Sequence, residues 1–426
     1  MSEPAVGDPG SGDRSTRVVE THTSTLFFLG DRVYKLKKPL RRPFLDFTTI
    51  VLGPYATQTL GDLGADVIKI EPPEGDFSRY SEPYPEGDTE RAFGGYFASI
   101  NRNKRGVMVD IKDSATHEKI LALIDGADAV VENFRVGIME KLGFGYETLH
   151  LRNPRLVYAA IRGFGDPRTG ASPYAEWPSY DVVAQAMGGI VSMTGTEEGQ
   201  VLKVGASVGD LYPGTVAALG IVSALLHAKL TGEGQFLDVG MVDAVTALCE
   251  AAVYRYTYAG TVTKPLGNSH PQLTPFDVYQ TADGYCAIAA PTQNHWALLC
   301  AHIDRPDLIH DPRTISNKDR VANAAFVKEV VSGWTRARAT HEVIELLGGA
   351  VPVGPVNDAE ALFTDPHLHA RQMLVAVEHP GSDRPVVLPN SPIHFTATPS
   401  GIYRRPPKLG EHNAEVFAEI DRQENP

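Results

Sequence analysis

The sequence predicts an α/β fold, with a large unit on a mostly parallel sheet and a smaller α+β unit after it. Three observations carry this. From about Phe44 to Gly165, short apolar runs alternate with helical ones, the pattern of right-handed βαβ crossovers. From Val216 to Leu226 the chain is apolar on nearly every helical face, which predicts a helix buried on all sides. From about Tyr254 to His270 the texture changes to Tyr, Thr, Gly and Pro, after which "TPFDVYQTADGYCAIAA" reads as two strands joined by a turn at Ala282-Asp283-Gly284, followed by helices.

Taken in order, "FLDF" from Phe44 reads as the first sheet strand. "GPYATQTLGDLG" reads as a glycine-led helix with Ala56, Leu60 and Leu63 at helical spacing. "ADVIKIE", "GVMVDI", "DAVVEN" and "RLVYAAIRGFG" follow as strands. Between them "SATHEKILALIDGA" is a helix with Ser114 as its cap candidate, Ile120, Leu121 and Leu123 on its apolar side and Gly126 as its stop. "GQFLDVGM" is a further strand, with a helix from near Asp243. The expected divisions are a disordered polar tail over 1–16, an atypical extension over 17–44 and the first part of the large unit over 45–245. A linker over 246–270, the small unit over 271–350 and a linker and return to the large unit over 351–426 complete them.

The chain has 426 residues and a net charge of -13, which argues against a nucleic-acid partner. Hydrophobic content of 42% and charged content of 21% are ordinary for a globular protein. Three cysteines, none in a CxxC pair, fit a reducing cytoplasm. No apolar run reads as long enough to span a membrane and no signal peptide is read at the start, so no membrane partner is expected.

Several ordered motifs then carry a resemblance. They are "GPYATQTLGDLGADVIKIEPPEGDFSR", "NRNKRGVMVDIK", "DAVVENFRVGIMEKLGFGYETL", "YDVVAQAMGGIVSMTG" and "VGDLYPGTVAALGIVSALLHAKLTGEGQFLDVGMVDAV". Together with "VPVGPVNDAEAL" and "LGEHNAEVFAEI" they resemble the family III CoA transferases, the group of formyl-CoA transferase and the α-methylacyl-CoA racemases, from about Leu45 to the C-terminus. The resemblance implies a Rossmann-like large domain, an interlocked homodimer, and acyl-CoA and a carboxylic acid as substrates. It implies no cofactor beyond the CoA thioester and no metal.

It also implies roles. Asp210, in "VGDLYPG", falls where the transferases carry their nucleophile. Read locally it would be a helix cap; the surrounding motifs reverse that preference. As an attacking carboxylate it must be ionised, which a helix start favours. Gly205, Ala206 and Gly209 leave room beside it for a thioester. The racemases place a His where this chain has Tyr180, followed by Asp181. A phenol with an unperturbed pKa near ~10 is a poor base at neutral pH, so transfer is favoured over racemisation. A non-catalytic CoA-binding protein is the third alternative. For CoA the resemblance implies Asn101, Lys104 and Arg105, then Asn133, Phe134, Arg135 and Lys141, with Val51 and Leu52 at the first helix. Val51, Leu52 and Pro72 depart from formyl-CoA transferase, and "GNSHP" replaces its glycine loop, making His270 a pocket candidate and formate or oxalate poor substrates. Small dicarboxylates fit this branch better.

Residues 17–48 do not fit that pattern. "GDRVYKLKKP" resembles the first strands of aminoglycoside-phosphotransferase-like proteins, yet no catalytic loop or metal ligands of a kinase follow. A fusion, a misassembled gene and a chance pair of strands all remain open, and a chimeric start with its seam at "LDFTT" is preferred.

Overall fold

The computed structural model describes residues 17–20, 24–29, 32–37 and 42–424. The expected tail over 1–16 lies outside the described residues. Strands β1 (Arg17–Glu20), β2 (Ser24–Leu29) and β3 (Arg32–Lys37) form an antiparallel sheet of their own.

The main sheet contains β4 (Phe44–Asp46), β5 (Val67–Glu71), β6 (Lys104–Met108), β7 (Ala129–Glu132), β8 (Val157–Arg162) and β9 (Phe236–Gly240). All its neighbours pair in parallel, in the order β6-β5-β4-β7-β8-β9. The chain therefore winds outward from β4 in one direction, returns, and winds outward in the other. That is the order of a doubly wound Rossmann sheet, with its switch point between β4 and β7.

Alternating residues sort to the two faces, as the pleat requires. Phe44, Val67, Ala129, Val131, Ala159 and Ile161 meet helices Leu52–Asp62 and Val208–Thr231. Leu45, Ile68, Val107, Val130 and Ala160 meet helices Ser114–Asp125 and Asn413–Glu424. The chain thus closes by laying Val416 and Ile420 back on its first sheet. Strands β10 (Phe276–Gln280), β11 (Tyr285–Ala289) and β12 (Val353–Pro355) make a separate antiparallel sheet. Trp296, Val327, Val331 and Leu347 fill its core. A last hairpin, β13 (Leu374–Val377) and β14 (Val386–Pro389), seats Val377 and Leu388 on Phe93 and Phe97.

Four expectations need correction. Asp113, not Ser114, caps its helix, because its carboxylate accepts the Thr116 N–H at 2.9 Å. The stretch expected as a linker from 246 begins with helices, Met241–Leu248 and Glu250–Ala259. The helix Val208–Thr231 is not buried on all sides: Ala217, Ile221, Ala224 and Ala228 are in the core, but Leu219, Val222, Leu226 and Leu230 face outward, Leu230 being 77% exposed. By length and composition this helix would also suffice to cross a membrane, contrary to the sequence reading, although one face of it is packed on the sheet.

The fourth correction concerns the "NRNKR" cations. Lys104 is wholly buried, and its ammonium donates at 2.9 Å to Asp46 Oδ2, to the Pro54 carbonyl and to Asn101 Oδ1. Those three acceptors use its three protons. Asn101 is consumed in the same contact, and its amide nitrogen donates to Phe97 O. Arg105 is paired with Asp66, Glu415 and Glu419. The charges of Lys104 and Arg105 and the Asn101 amide are thus committed to partners within the chain. Lys104→Met should therefore leave Asp46 buried and unpaired and cost about 3–5 kcal/mol of stability in urea unfolding. An unchanged unfolding midpoint with weakened CoA binding would restore the ligand role.

Candidate active site

The carboxyl ends of β4 and β7 open the crevice that a doubly wound sheet offers a ligand at its switch point. A cavity of about 230 Å³ lies there. Thr49 to Leu52 line it after β4, Asn133 to Arg135 after β7, and Ile161 to Gly163 at the end of β8. The segment Ala175 to Tyr180 forms another wall, and Asp210 is in the lining.

The floor is fastened from two sides. Asn133 spends both ends of its amide on one residue: Oδ1 accepts from Thr49 N at 2.9 Å and Nδ2 donates to Thr49 O at 2.8 Å. Beneath, Lys69 Nζ donates to Thr48 O at 2.8 Å and pairs with Asp76 at 3.0 Å. Asp76 in turn accepts the Ile50 N–H, 3.3 Å from each carboxylate oxygen. Ile50 sits at φ 69, a conformation a β-branched residue rarely adopts. The surrounding contacts hold it there.

Asp210 is the third residue of the helix Val208–Thr231. It does not cap that helix. The cap position is Ser207, which makes no side-chain cap bond. Among the described residues the Asp210 carboxyl has no hydrogen bond or ion pair. Burial, and then the charge of Asp181, push it up to about 7. The helix start was expected to favour the anion; desolvation and a like charge outweigh it here. Asp181 is locked in place. Its carboxylate accepts from Gly209 N at 2.8 Å and from the buried Gln185 amide at 3.0 and 2.9 Å. Gln185 Oε1 takes the Val204 N–H at 2.9 Å, so one side chain joins the 204–209 loop to the helix Asp181–Met187. Gly209 is required by this contact, since a Cβ there would stand 2.5 Å from the Asp181 carbonyl oxygen.

The structure gathers part of the predicted set. Val51, Leu52, Asn133, Phe134, Arg135, Tyr180 and Asp210 share the cavity, with Gly209 and Asp181 directly behind Asp210. The guanidinium of Arg135 is exposed and unpaired among the described residues. Lys141 is exposed at the end of the helix Ile138–Lys141, outside the lining. His270 is elsewhere, in a cavity of about 380 Å³ with Ser269, Phe276, Asp277 and Lys328. Within one chain it is not a neighbour of the Asp210 cleft. Sequence reasoning missed Tyr96, whose phenol is pushed up by burial and by Asp210, Asp76 and Asp181. It also missed Trp177 and Gln185. Tyr96 carried no local signal; Trp177 lay in an aromatic loop between Tyr174 and Tyr180 that no motif singled out.

Comparison with known proteins identifies the family. The family profile of CoA-transferase family III matches residues 44–413, so the match opens at β4. The succinyl-CoA:mesaconate CoA-transferase of Haloarcula hispanica is 44% identical over 375 residues, covering 88% of this chain and 94% of its own. The succinate–glutarate CoA-transferase of Agrobacterium fabrum is 36% identical over 383 residues, with the same coverages of 88% and 94%. A CAIB/BAIF family protein of Brucella suis has a crystal structure that superposes with a TM-score of 0.79 at 34% identity, covering 90% of this chain and 100% of that one. The chain belongs to CoA-transferase family III and is a CoA-transferase.

The raised Asp210 has a stability consequence. A carboxyl whose folded pKa exceeds its unfolded one contributes stability that is complete below about pH 4 and is lost as pH rises through about 7. Asp210→Asn removes that loss. The variant should melt higher than the wild type at pH 8, by roughly 2–5 °C, with the gap closing by pH 4. A gap independent of pH would remove the assigned shift.

Proposed function

We propose that this family III CoA-transferase moves CoA between an acyl-CoA donor and a carboxylic acid, with Asp210 as the nucleophile. The observation that carries this is an unpaired carboxyl, raised to about 7, in the lining of the switch-point cavity. An Asp210 oxygen attacks the thioester carbonyl carbon, the C–S bond breaks, and CoA leaves as thiolate with the acyl group held as a mixed anhydride. The thiolate then attacks the Asp210 carbonyl carbon and releases the donor acid, leaving an aspartyl-CoA thioester. The acceptor carboxylate attacks that thioester, and the returning thiolate takes the new acyl group and frees Asp210. Each step exchanges one acyl bond for another, dividing a difficult transfer into easier ones. The relatives named for succinate, mesaconate and glutarate support small dicarboxylic acids as substrates. Arg135, a cation in the cavity lining that is unpaired among the described residues, supports binding of an anionic part of CoA or of the acid.

The outward face of the helix Val208–Thr231 supports a homodimer. Leu219, Val222, Leu226 and Leu230 recur at spacings of three and four and form one stripe. On the helix Glu250–Ala259, Val253, Tyr254 and Tyr258 are exposed as well and border a shallow space of about 710 Å³. An apolar surface of this extent calls for a partner, and a second copy of the chain is the simplest one. The three cysteines are free and buried, in keeping with a reducing cytoplasm.

Four outcomes test this reading. Incubation with succinyl-CoA and hydroxylamine should leave a hydroxamate on Asp210 by mass spectrometry. Asp210→Ala should lose more than about 10³-fold in transfer; an active, unlabelled Asp210→Ala enzyme would falsify the mechanism. Because the attacking form is ionised, kcat/KM for the donor should rise with pH and level off above about 7. Light scattering should find a dimer that Leu226→Glu with Leu230→Glu converts to monomer, and a monomeric wild type at micromolar concentration would exclude the homodimer.

A further inference from the structure

Trp177 has no part in the chemistry described so far, yet it lines the same cavity as Asp210 while remaining 56% exposed. An indole exposed at a cleft and still held rigid is costly to leave in water and well suited to cover a ligand. Rigidity comes from two directions. The Tyr174 ring lies 4.7 Å from the indole, centroid to centroid, and Phe164 meets it edge-on at 6.4 Å. The neighbouring residues are pressed onto the end of β8, where Ser179 lies so close over Gly163 that a Cβ at Gly163 would collide with the Ser179 Cβ. The backbone closes the turn through Trp177 N to Tyr174 O at 2.8 Å.

The size of the cavity decides what Trp177 meets. About 230 Å³ is too little for a whole CoA, and suits a four- or five-carbon acyl group with the tip of the pantetheine arm. A group bonded to Asp210 in that space is therefore within reach of Trp177, whereas the adenosine of CoA would lie outside it. Accepting the nucleophile reading above, we propose that Trp177 is a specificity-determining residue that packs over the acyl group carried by Asp210 and keeps water from it. The need is chemical. A mixed anhydride is open to water as well as to thiolate. Attack by water at the acyl carbon breaks the bond to the Asp210 oxygen, releases the free acid and regenerates the Asp210 carboxylate, so that CoA is lost without transfer. A fixed apolar wall over the acyl carbon suppresses that branch.

Wild type, Trp177→Phe and Trp177→Ala are compared with succinyl-CoA as donor, recording free CoA released without an acceptor acid and acyl transfer to mesaconate or glutarate. Trp177→Ala should raise the ratio of hydrolysis to transfer about tenfold or more, whereas Trp177→Phe should remain within threefold of wild type. Binding of free CoA and the oligomeric state should be the same in all three. An unchanged ratio in Trp177→Ala overturns the proposal. So does equal loss of transfer in both variants with weakened CoA binding, which would place the indole against CoA instead. If the wild type transfers nothing and Asp210 is never labelled, the nucleophile reading fails and this one with it; if the wild type transfers and labels normally, only the role of Trp177 is at stake.

Discussion

The structure depends on a buried set of charges at the carboxyl end of β4 and β5. Asp46 closes β4 with no exposure and is held by Lys104, Thr57 and Thr48. Burial opposes its charge, but Lys104 and Lys69 keep its carboxyl below the usual carboxylate range. Lys69 carries the linkage on to Asp76, and beside it Glu71 pairs with Arg79. Such pairs add little net stability over an apolar core, but breaking one is expensive. What they fix is the loop Thr48–Ile50, held at Thr48 O by Lys69 and at Ile50 N by Asp76. The helix Leu52–Asp62 starts directly from that loop. Gly214 of the helix Val208–Thr231 then packs so closely that a Cβ would stand 2.8 Å from Leu52 O. The position of Asp210, one turn earlier on that helix, is thus inherited from ion pairs that never touch it.

Within the cleft the electrostatics point the other way. Two carboxylates, Asp181 and Asp210, are placed near each other, and among the described residues no cation is bonded to either. Asp181 is compensated by the Gly209 N–H and the Gln185 amide. Asp210 has no such compensation and bears the cost of desolvation as a raised pKa. Sites whose local arrangement works against stability are where function is expected to lie.

Most of the fold was legible in the sequence because the parallel strands are short, mostly apolar runs between clear helical segments. "ADVIKIE", "DAVVEN" and "RLVYAAIRGFG" each contain a strand of the sheet. Asp210 and the Asn133–Arg135 turn were legible only through the motifs around them. Lys104 was misread for a physical reason: a basic residue before a strand looks the same whether it meets a phosphate or a buried acid, and Asp46 is 58 positions away. The apolar helix was misread differently. Burial on all sides was inferred from an all-round apolar face, but here one face is covered by the sheet and the other is left exposed.

A pKa of about 7 is also a compromise within the proposed chemistry. Asp210 must first attack as a carboxylate and later be expelled as one, when thiolate takes the acyl group back from the anhydride. A lower pKa would make it a better leaving group and a weaker nucleophile; a much higher one would leave too little of it ionised at neutral pH. Burial and Asp181 place it between these limits. The same two features that make the charge of the resting site destabilising would also suit Asp210 to both directions of the proposed exchange.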